Sequence, residues 1–281
     1  MRRSGLVLLA VAVMAACAAV SAAADGGPSP GVFFGWNGVV APGHQVRYVA
    51  IPSGHGTVVE SVGILGGRVL RWNTVPGVFG IPNLAWDGSA SGLSVDGQTL
   101  VLASQSPRAI HGTTRFVLLQ TRTLRASPTI VLRGSFSFDA LSPDATTLYL
   151  IQYTSAQDFT RYRVRAYDLA KGQLVPGAIA DRREPDERMS GGPVTRATTP
   201  DGRWAYTLYA RQGQAPFVHA LNTVRREAYC IDLPLRLNQQ RQMTLRLGFH
   251  DATELRVRAG RKTLAVLDMQ KLEARKATNH T

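Results

Sequence analysis

Ser142-Pro143-Asp144-Ala145, followed by the apolar run Thr147-Leu148-Tyr149-Leu150, is one copy of a pattern on which the fold of this chain depends. Asp before Gly or Ala is typical of a tight turn, because its side chain hydrogen-bonds the local backbone. The run that follows combines Thr, Tyr and aliphatic residues in the way that strands do. The pattern therefore predicts a turn that leads into a β-strand.

The same pattern recurs three more times along the chain. Ser94-Val95-Asp96-Gly97 and Thr199-Pro200-Asp201-Gly202 are close copies, and His250-Asp251-Ala252 is a degenerate one. The aspartates at 96, 144, 201 and 251 lie 48, 57 and 50 residues apart. A period in this range, with about four short strands in each repeat, is typical of the blades of a β-propeller.

Alternating apolar residues continue this strand pattern through the rest of the chain. Residues 161–167 place Tyr162, Val164 and Ala166 on one face and three arginines on the other. Only residues 268–276 offer an amphipathic helix after residue 24. The chain is therefore predicted to be all-β. Further strands are predicted at 46–51, 57–62, 99–103, 116–120, 147–153, 204–209, 217–221, 244–248, 255–258 and 263–267.

The repeat also resembles a known family. A Ser-Pro-Asp-Gly turn, an apolar strand and a later strand that closes with Asp, as at Asp168, resemble the YVTN and TolB-type, WD-like β-propeller repeats of bacterial envelope proteins. Residues 194–233 also resemble a group of secreted actinobacterial propeller-like proteins. The chain departs from the repeat in Ala145 and Ala252, which replace Gly, and in Asn222, which replaces the closing Asp. The resemblance implies a propeller fold and says little about activity.

The repeat length also predicts the number of blades. Residues 45–275, divided by about 45 residues for each blade, give about five blades, with six as the alternative. Five is few for a closed ring, so an open or irregular propeller is included in the prediction. Residues 25–44 are rich in Gly and Pro and are expected to form a flexible lead-in, and residues 276–281 a short tail.

The N-terminus has the pattern of a secretory signal peptide over residues 1–24. Met1-Arg2-Arg3 supplies positive charge, an uncharged run follows, and small residues precede a cleavage point before Asp25. Two alternatives stay open. Met14-Ala15-Ala16-Cys17 resembles a lipoprotein box, in which Cys17 would be lipidated, and twenty apolar residues are also enough to span a bilayer uncut. Each reading places the folded part outside the cytoplasm, secreted or at the cell surface, with membrane contact only through this N-terminus.

The composition indicates a basic protein with enough apolar residues for one large core. The 281 residues are 44% hydrophobic, and 32 Lys and Arg against 19 Asp and Glu give a net charge of +13. This charge makes contact with anionic envelope polymers or phospholipid plausible. Nucleic acid is not expected as a partner, because no stacking motif accompanies the arginines. Besides Cys17 the chain has only Cys230, so no internal disulfide is predicted, and Cys230 is expected to be a small buried residue.

The residues that could carry catalysis have simpler interpretations. Asp96, Asp144 and Asp201 could hold a metal, as carboxylates do in the metal-dependent lactonase propellers that this fold resembles, but a turn role is favoured. The histidines show no metal-ligand spacing, and His219 is expected to be a satisfied core or rim residue. Residues 88–92 have Ala where a Gly-x-Ser-x-Gly nucleophile would need Ser. No catalytic residue, metal ligand or cofactor is therefore predicted.

Two residues are predicted as ligand-binding candidates. Trp86 precedes a Gly- and Ser-rich loop over residues 87–93, expected to be flexible, and is the least core-like of the four tryptophans. Arg188 ends the charged stretch 181–188, which is expected to be a mobile surface loop. In a propeller, loops of this kind rim the face where ligands usually bind.

Three functional hypotheses follow from the sequence. The first is an exported, non-catalytic propeller that binds an envelope protein or an anionic cell-surface polymer as a monomer. The second is a lactonase-like enzyme that acts on a sugar-acid lactone through a carboxylate-bound cation. The third is an envelope assembly or scaffold protein that is anchored through a lipid on Cys17.

Overall fold

The computed structural model describes residues 31–105, 111–186 and 188–278, which form a β-propeller of five four-stranded sheets. We number these sheets as blades 1 to 5 along the chain. Two short strands outside the blades, β1 (Val32–Phe33) and β6 (Ile81–Pro82), pair with each other. Blade 1 contains β2 (Gly35–Val40), β3 (Val46–Ser53), β4 (Gly56–Gly63) and β5 (Val69–Pro76). Blade 2 contains β7 (Thr99–Ala103), β8 (Thr113–Gln120), β9 (Arg125–Ala126) and β10 (Ile130–Arg133).

The other three blades are antiparallel meanders in which sheet order follows chain order. Blade 3 contains β11 (Phe136–Leu141), β12 (Thr147–Tyr153), β13 (Tyr162–Asp168) and β14 (Gln173–Leu174). Blade 4 contains β15 (Gly192–Thr198), β16 (Trp204–Ala210), β17 (Phe217–Asn222) and β18 (Glu227–Asp232). Blade 5 contains β19 (Leu245–Phe249), β20 (Glu254–Ala259), β21 (Lys262–Asp268) and β22 (Glu273–Lys276). The short helix α1 (Gln239–Gln242) joins blades 4 and 5, and among the described residues no helix is long and apolar enough to cross a membrane.

The all-β propeller prediction is confirmed, but two local expectations are corrected. The tail at 268–276 is not a helix, because Asp268 Oδ1 accepts hydrogen bonds from the amides of Gln270 and Lys271 and closes a hairpin turn before β22. The lead-in at 25–44 contains β1 and β2, so the sheet begins before residue 45. At Gly38 an added Cβ would overlap the carbonyl of Tyr48, so the Gly-rich composition allows β2 to bulge against β3.

The repeated aspartates have the turn role that the sequence favoured. Asp96 Oδ1 accepts hydrogen bonds from Ser94 Oγ and the Gln98 amide, at 2.5 and 2.9 Å, and Asp144 makes the equivalent bonds in the next blade. Bonds to the ionised form favour it, so Ser94 and Ser142 hold the pKa values of these two carboxyl groups below the usual value. Each side chain is therefore already engaged in holding its own turn.

Two of the three departures from the repeat fit the same geometry. Ala145 has a φ of 53°, close to the 69° and 68° of Gly97 and Gly202, so it adopts the left-handed conformation that Gly adopts without cost. Asn222 Oδ1 accepts from the amides of Val224 and Arg225, as Asp168 and Asp268 do in their turns. An amide oxygen serves as well as a carboxylate there, because the turn needs only an acceptor.

Four apolar clusters hold the five blades in an open series. Among the described residues, one cluster lies between each consecutive pair of blades, and no such cluster joins blade 5 to blade 1. Blade 1 packs on blade 2 through residues such as Ala50, Val59 and Leu102. Blade 4 packs on blade 5 through residues such as Val218 and Leu255. The arrangement agrees with the open or irregular propeller included in the prediction.

We expect Gly202→Ala to destabilise the protein by at least about 2 kcal/mol, because an L-residue in this conformation costs roughly 1–2 kcal/mol and the added Cβ would also overlap Val95 of blade 2. The matched change Ala145→Gly relieves the same backbone conformation and should leave stability unchanged or raise it by up to about 1 kcal/mol. Urea unfolding followed by circular dichroism measures both. Equal destabilisation by the two changes would contradict this account of the turns.

Candidate functional site

A large cavity, of about 920 Å³, lies at the end of the blades opposite to the aspartate turns. Its walls come from the loop before blade 2, the β12–β13 and β16–β17 loops, the entry to β15, and α1. Most of its side chains are polar and uncharged, and five of them are glutamines. The residues that line it include Trp86, Gln157, Asp158, Thr160, Ser190, Gly192, Arg211, Gln212, Gln214, Gln239, Gln240 and Met243.

Trp86 is held in this cavity by backbone contacts across the propeller. The amides of Trp86 and Asp87 donate to the carbonyls of Pro193 and Val194 in blade 4, at 3.0 and 3.1 Å. Asp87 Oδ1 also accepts from the amide and hydroxyl of Ser89. The loop expected to be flexible is therefore hydrogen-bonded to another blade as well as to itself. Trp86 remains 41% exposed and lines the cavity.

Gln242 anchors α1, whose neighbouring residues line the cavity, and it was not found by sequence reasoning. Its side chain is fully buried, its Oε1 accepts from the Arg211 amide at 2.9 Å, and its Nε2 lies 2.8–3.1 Å from the carbonyls of Arg211, Gln214 and Leu237. These bonds fasten α1 to the β16–β17 loop. A glutamine in a polar stretch gives no signal of burial, because its partners are backbone groups that the fold brings from elsewhere in the sequence.

The charges at the cavity are neutralised locally. Arg211 Nη2 lies 2.5 Å from Asp232 Oδ1, its Nε donates to the Ala215 carbonyl, and its guanidinium packs over the ring of Phe217. Asp158 forms an ion pair with Arg161 at 2.9 Å and accepts from Thr160 Oγ1, and the hydroxyl bond lowers the pKa of this carboxyl. The free hydrogen-bonding capacity of the walls therefore comes mainly from amide side chains.

The second sequence candidate, Arg188, lies at an adjoining cavity. This smaller space, of about 140 Å³, shares Ser190, Arg211 and Gln214 with the large one and is also lined by Cys230. Trp86 and Arg188 therefore lie on two neighbouring cavities on blade 4. The remaining candidate, Cys17, and the predicted signal peptide lie outside the described residues.

The charged stretch at 181–188 starts as an ordered segment rather than a mobile loop. Asp181 is buried, and its carboxylate accepts from the backbone amides of Arg183 and Cys230 at 2.8 Å each. Arg183 donates to the carbonyls of Lys271 and Leu272, which links this connection between blades 3 and 4 to blade 5. Cys230 itself is partly exposed and not fully buried as expected, because it lies on the outermost strand of its blade.

A buried polar row crosses blade 4 beneath the cavity. Arg196 of β15 pairs in register with Thr207, which pairs with His219. The Arg196 and Asp139 side chains, each 5% exposed, form an ion pair between blades 4 and 3. His219 was expected to be satisfied, but its buried Nε2 has no hydrogen-bond partner among the described residues, and the ring stands edge-on to Tyr209. The row is a structural feature between blades, because it is closed from solvent.

Carboxylates, histidines and cysteines are dispersed in the described part of the chain. Within it, no three of these side chains converge as metal ligands would. Asp96, Asp144 and Asp201 are in turns at the far end of the blades from the large cavity. Asp158 and Arg211 are the two charged side chains among the residues that line the cavity.

No protein-family model and no curated protein matches the sequence. Among solved structures, the chain is similar to the hydrazine synthase of Kuenenia stuttgartiensis, with a TM-score of 0.45, 16% identity and coverage of 86% of this chain and 78% of that chain. It is also similar to TolB from Acinetobacter baumannii, with a TM-score of 0.45, 9% identity and coverage of 82% and 50%. It is similar as well to the putative TolB from Agrobacterium tumefaciens, with a TM-score of 0.43, 14% identity and coverage of 85% of this chain and 78% of that chain. The chain thus spans half the length of the Acinetobacter protein, and the fold described above follows from its own strand pairing.

We expect Gln242→Ala to destabilise the protein by about 2–4 kcal/mol, because it removes the partners of several buried backbone groups. The matched change Gln240→Ala, at an exposed neighbour in the same helix, should stay within about 0.5 kcal/mol of the parent. Urea unfolding gives both free energies. A similar value for the two variants would show that α1 does not depend on the buried amide.

We also expect His219 to make the protein sensitive to acid. Burial lowers its pKa from 6.5 to about 4, so between these values the unfolded chain binds a proton that the folded protein excludes. Folding stability should therefore fall as the pH drops from about 6.5 to 4, by up to about 3 kcal/mol from this residue. Unfolding free energies at pH 7 and 4.5 should differ less in His219→Gln than in the parent, whereas exposed His55→Gln should behave as the parent. An unchanged pH dependence in His219→Gln would contradict the assignment.

Proposed function

We propose that this chain is an exported β-propeller that binds the saccharide part of a cell-envelope or extracellular polymer in the large end cavity, without catalysis. The observation that carries the proposal is the combination, in one cavity of about 920 Å³, of a partly exposed tryptophan with glutamine side chains from three different loops. Export rests on the signal pattern in residues 1–24, and a lipid on Cys17 would retain the same module at the cell surface.

The chemistry of these walls matches a sugar better than a charged or fully apolar ligand. A sugar ring has an apolar C–H face that can pack on an indole such as Trp86. Its hydroxyl groups donate and accept hydrogen bonds, as do the amides of Gln212 and Gln214. The cavity is also within the range of volumes that small-molecule sites have. The net charge, +13 for the full sequence and +11 without Arg2 and Arg3 of the predicted signal peptide, would in addition attract an acidic polymer.

The state of the acidic groups supports binding rather than hydrolysis. A general acid at neutral pH needs a raised pKa, whereas the hydrogen bond from Thr160 lowers that of Asp158. Arg211 is occupied by Asp232 and by the Ala215 carbonyl. The turn aspartates that a lactonase-like site would require bond within their own turns. These contacts favour a binding module over the metal-dependent enzyme.

The test measures the affinity of soluble neutral and acidic oligosaccharides by calorimetry and by the change in tryptophan fluorescence. Trp86→Ala should weaken binding by about two- to twelvefold, because stacking on an aromatic ring contributes about 0.5–1.5 kcal/mol. Trp72→Ala, at a more exposed tryptophan on blade 1, is the matched control and should bind as the parent does. Equal affinity in the parent and Trp86→Ala, or no binding to any of the saccharides, would refute the ligand class. Export is tested separately by the intact mass of the native protein, and secreted material that retains residues 1–24 would contradict cleavage.

A further inference from the structure

A second surface, on blade 1, exposes apolar side chains that the saccharide proposal does not use. Six large apolar residues of this blade are at least 40% exposed, and Leu65 at the tip of the β4–β5 hairpin is 93% exposed. We define the hairpin face by these six residues, which are Trp36, Ile64, Leu65, Val69, Leu70 and Trp72. Soluble proteins rarely concentrate such residues on one element unless the surface binds something.

The hairpin face lies on the side of blade 1 that points away from blade 2. Ala50 and Val59 point from blade 1 towards blade 2, where the apolar cluster covers them. On the opposite side of the sheet, Glu60 pairs in register with Trp72, and Val62 pairs with Val69. The bulge between Ser61 and Val62 places Val69 and Trp72 on the same side although they are three residues apart. Because the series of blades is open, no apolar cluster of the described residues covers this side.

The hairpin tip also projects from the sheet. The Gly63 amide donates to the Arg68 carbonyl at 2.8 Å, and the Ile64 amide donates to the Gln45 carbonyl at 2.9 Å, so the base of the tip is fixed. At Gly66 and Gly67 an added Cβ would have no neighbour within 4 Å. Leu65 therefore stands at the end of an anchored loop with open space around it.

Exposed arginines lie among these apolar residues. Arg68 is in the hairpin tip, and Arg47 of β3 pairs in register with Val62 on the outward side. The one acidic residue in the same rows is the half-buried Glu60. Tryptophan and arginine together suit the boundary of a bilayer, where the indole lies at headgroup depth and the guanidinium meets anionic phosphate.

We infer that the hairpin face docks on the surface of an anionic phospholipid bilayer, with Leu65 and Trp72 in the interfacial layer and Arg47 and Arg68 against headgroups. The charges argue against a second copy of this chain as the occupant, because a two-fold contact would bring these arginines together. This inference uses blade 1 only and does not depend on the cavity at blade 4. We therefore expect variants that abolish membrane docking to keep saccharide binding, and variants that abolish saccharide binding to keep membrane docking.

The experiment uses the full chain and vesicles of phosphatidylcholine that contain about 30% phosphatidylglycerol with brominated acyl chains, which quench tryptophan at membrane depth. All four tryptophans lie in the described residues, so the predicted signal segment adds no fluorescence of its own. We expect quenching in the parent that is lost in the double variant Trp36→Phe with Trp72→Phe. Trp86→Phe, at the cavity, should keep it. Quenching that survives the double variant would overturn the inference.

Two further comparisons, each of a double variant on the hairpin face with a control double variant elsewhere, distinguish insertion of this face into the bilayer from non-specific adsorption of the protein. Leu65→Asn with Leu70→Asn should abolish quenching, whereas Val131→Asn with Val224→Asn, at exposed apolar residues of other blades, should not. Arg47→Glu with Arg68→Glu should weaken vesicle binding by more than about tenfold, and Arg225→Glu with Arg236→Glu should weaken it much less. Equal effects within a pair would overturn the docking face. A dimer in sedimentation velocity that Leu65→Asn with Leu70→Asn dissociates, without vesicle quenching in the parent, would assign the face to a second copy instead.

Discussion

Blades 1 to 4 of this protein are sheets with apolar residues on both faces, and an apolar face must be covered to exclude water, whereas the outward face of blade 5 carries arginines such as Arg246 and Arg258. Among the described residues, consecutive packing covers both faces of blades 2, 3 and 4 but only one face of blade 1 and one of blade 5. A closed ring would cover these last two faces against each other. The open series therefore makes the chemistry of the terminal blades different from that of the middle blades, and the other features of the molecule follow from this difference.

In the middle of the series, burial makes polar groups depend on each other. Asp139 and Arg196 form their ion pair where blades 3 and 4 meet, and removing one partner of such a pair leaves an uncompensated charge. His219 is held neutral in the same layer by desolvation. At the free end, blade 1 instead exposes tryptophan, leucine and arginine to the surroundings. The order in which the blades pack therefore buries polar groups between the middle blades and leaves the outward face of blade 1 exposed, where it can contact another surface.

The large cavity depends on bonds between residues that are distant in sequence. Trp86, before blade 2, is positioned by the carbonyl of Pro193 in blade 4, and Gln242 joins α1 to the β16–β17 loop. These bonds act through backbone groups, so their partners have no characteristic side chain. A ligand would therefore meet a preformed wall, which reduces the entropy that binding must overcome.

The sequence alone determined the class of fold, the repeat and the turns, because these depend on local chemistry. Alternating residues specified β7 and β12 to the residue, and Asp144 formed the turn that its spacing predicted. Only the tertiary structure decided that the blades form an open series, that Gln242 is buried and that Trp86 and Arg188 lie on adjoining cavities. Contacts of this kind join residues that are far apart in the sequence and meet only because whole blades pack together. The local periodicity of the sequence does not determine that packing.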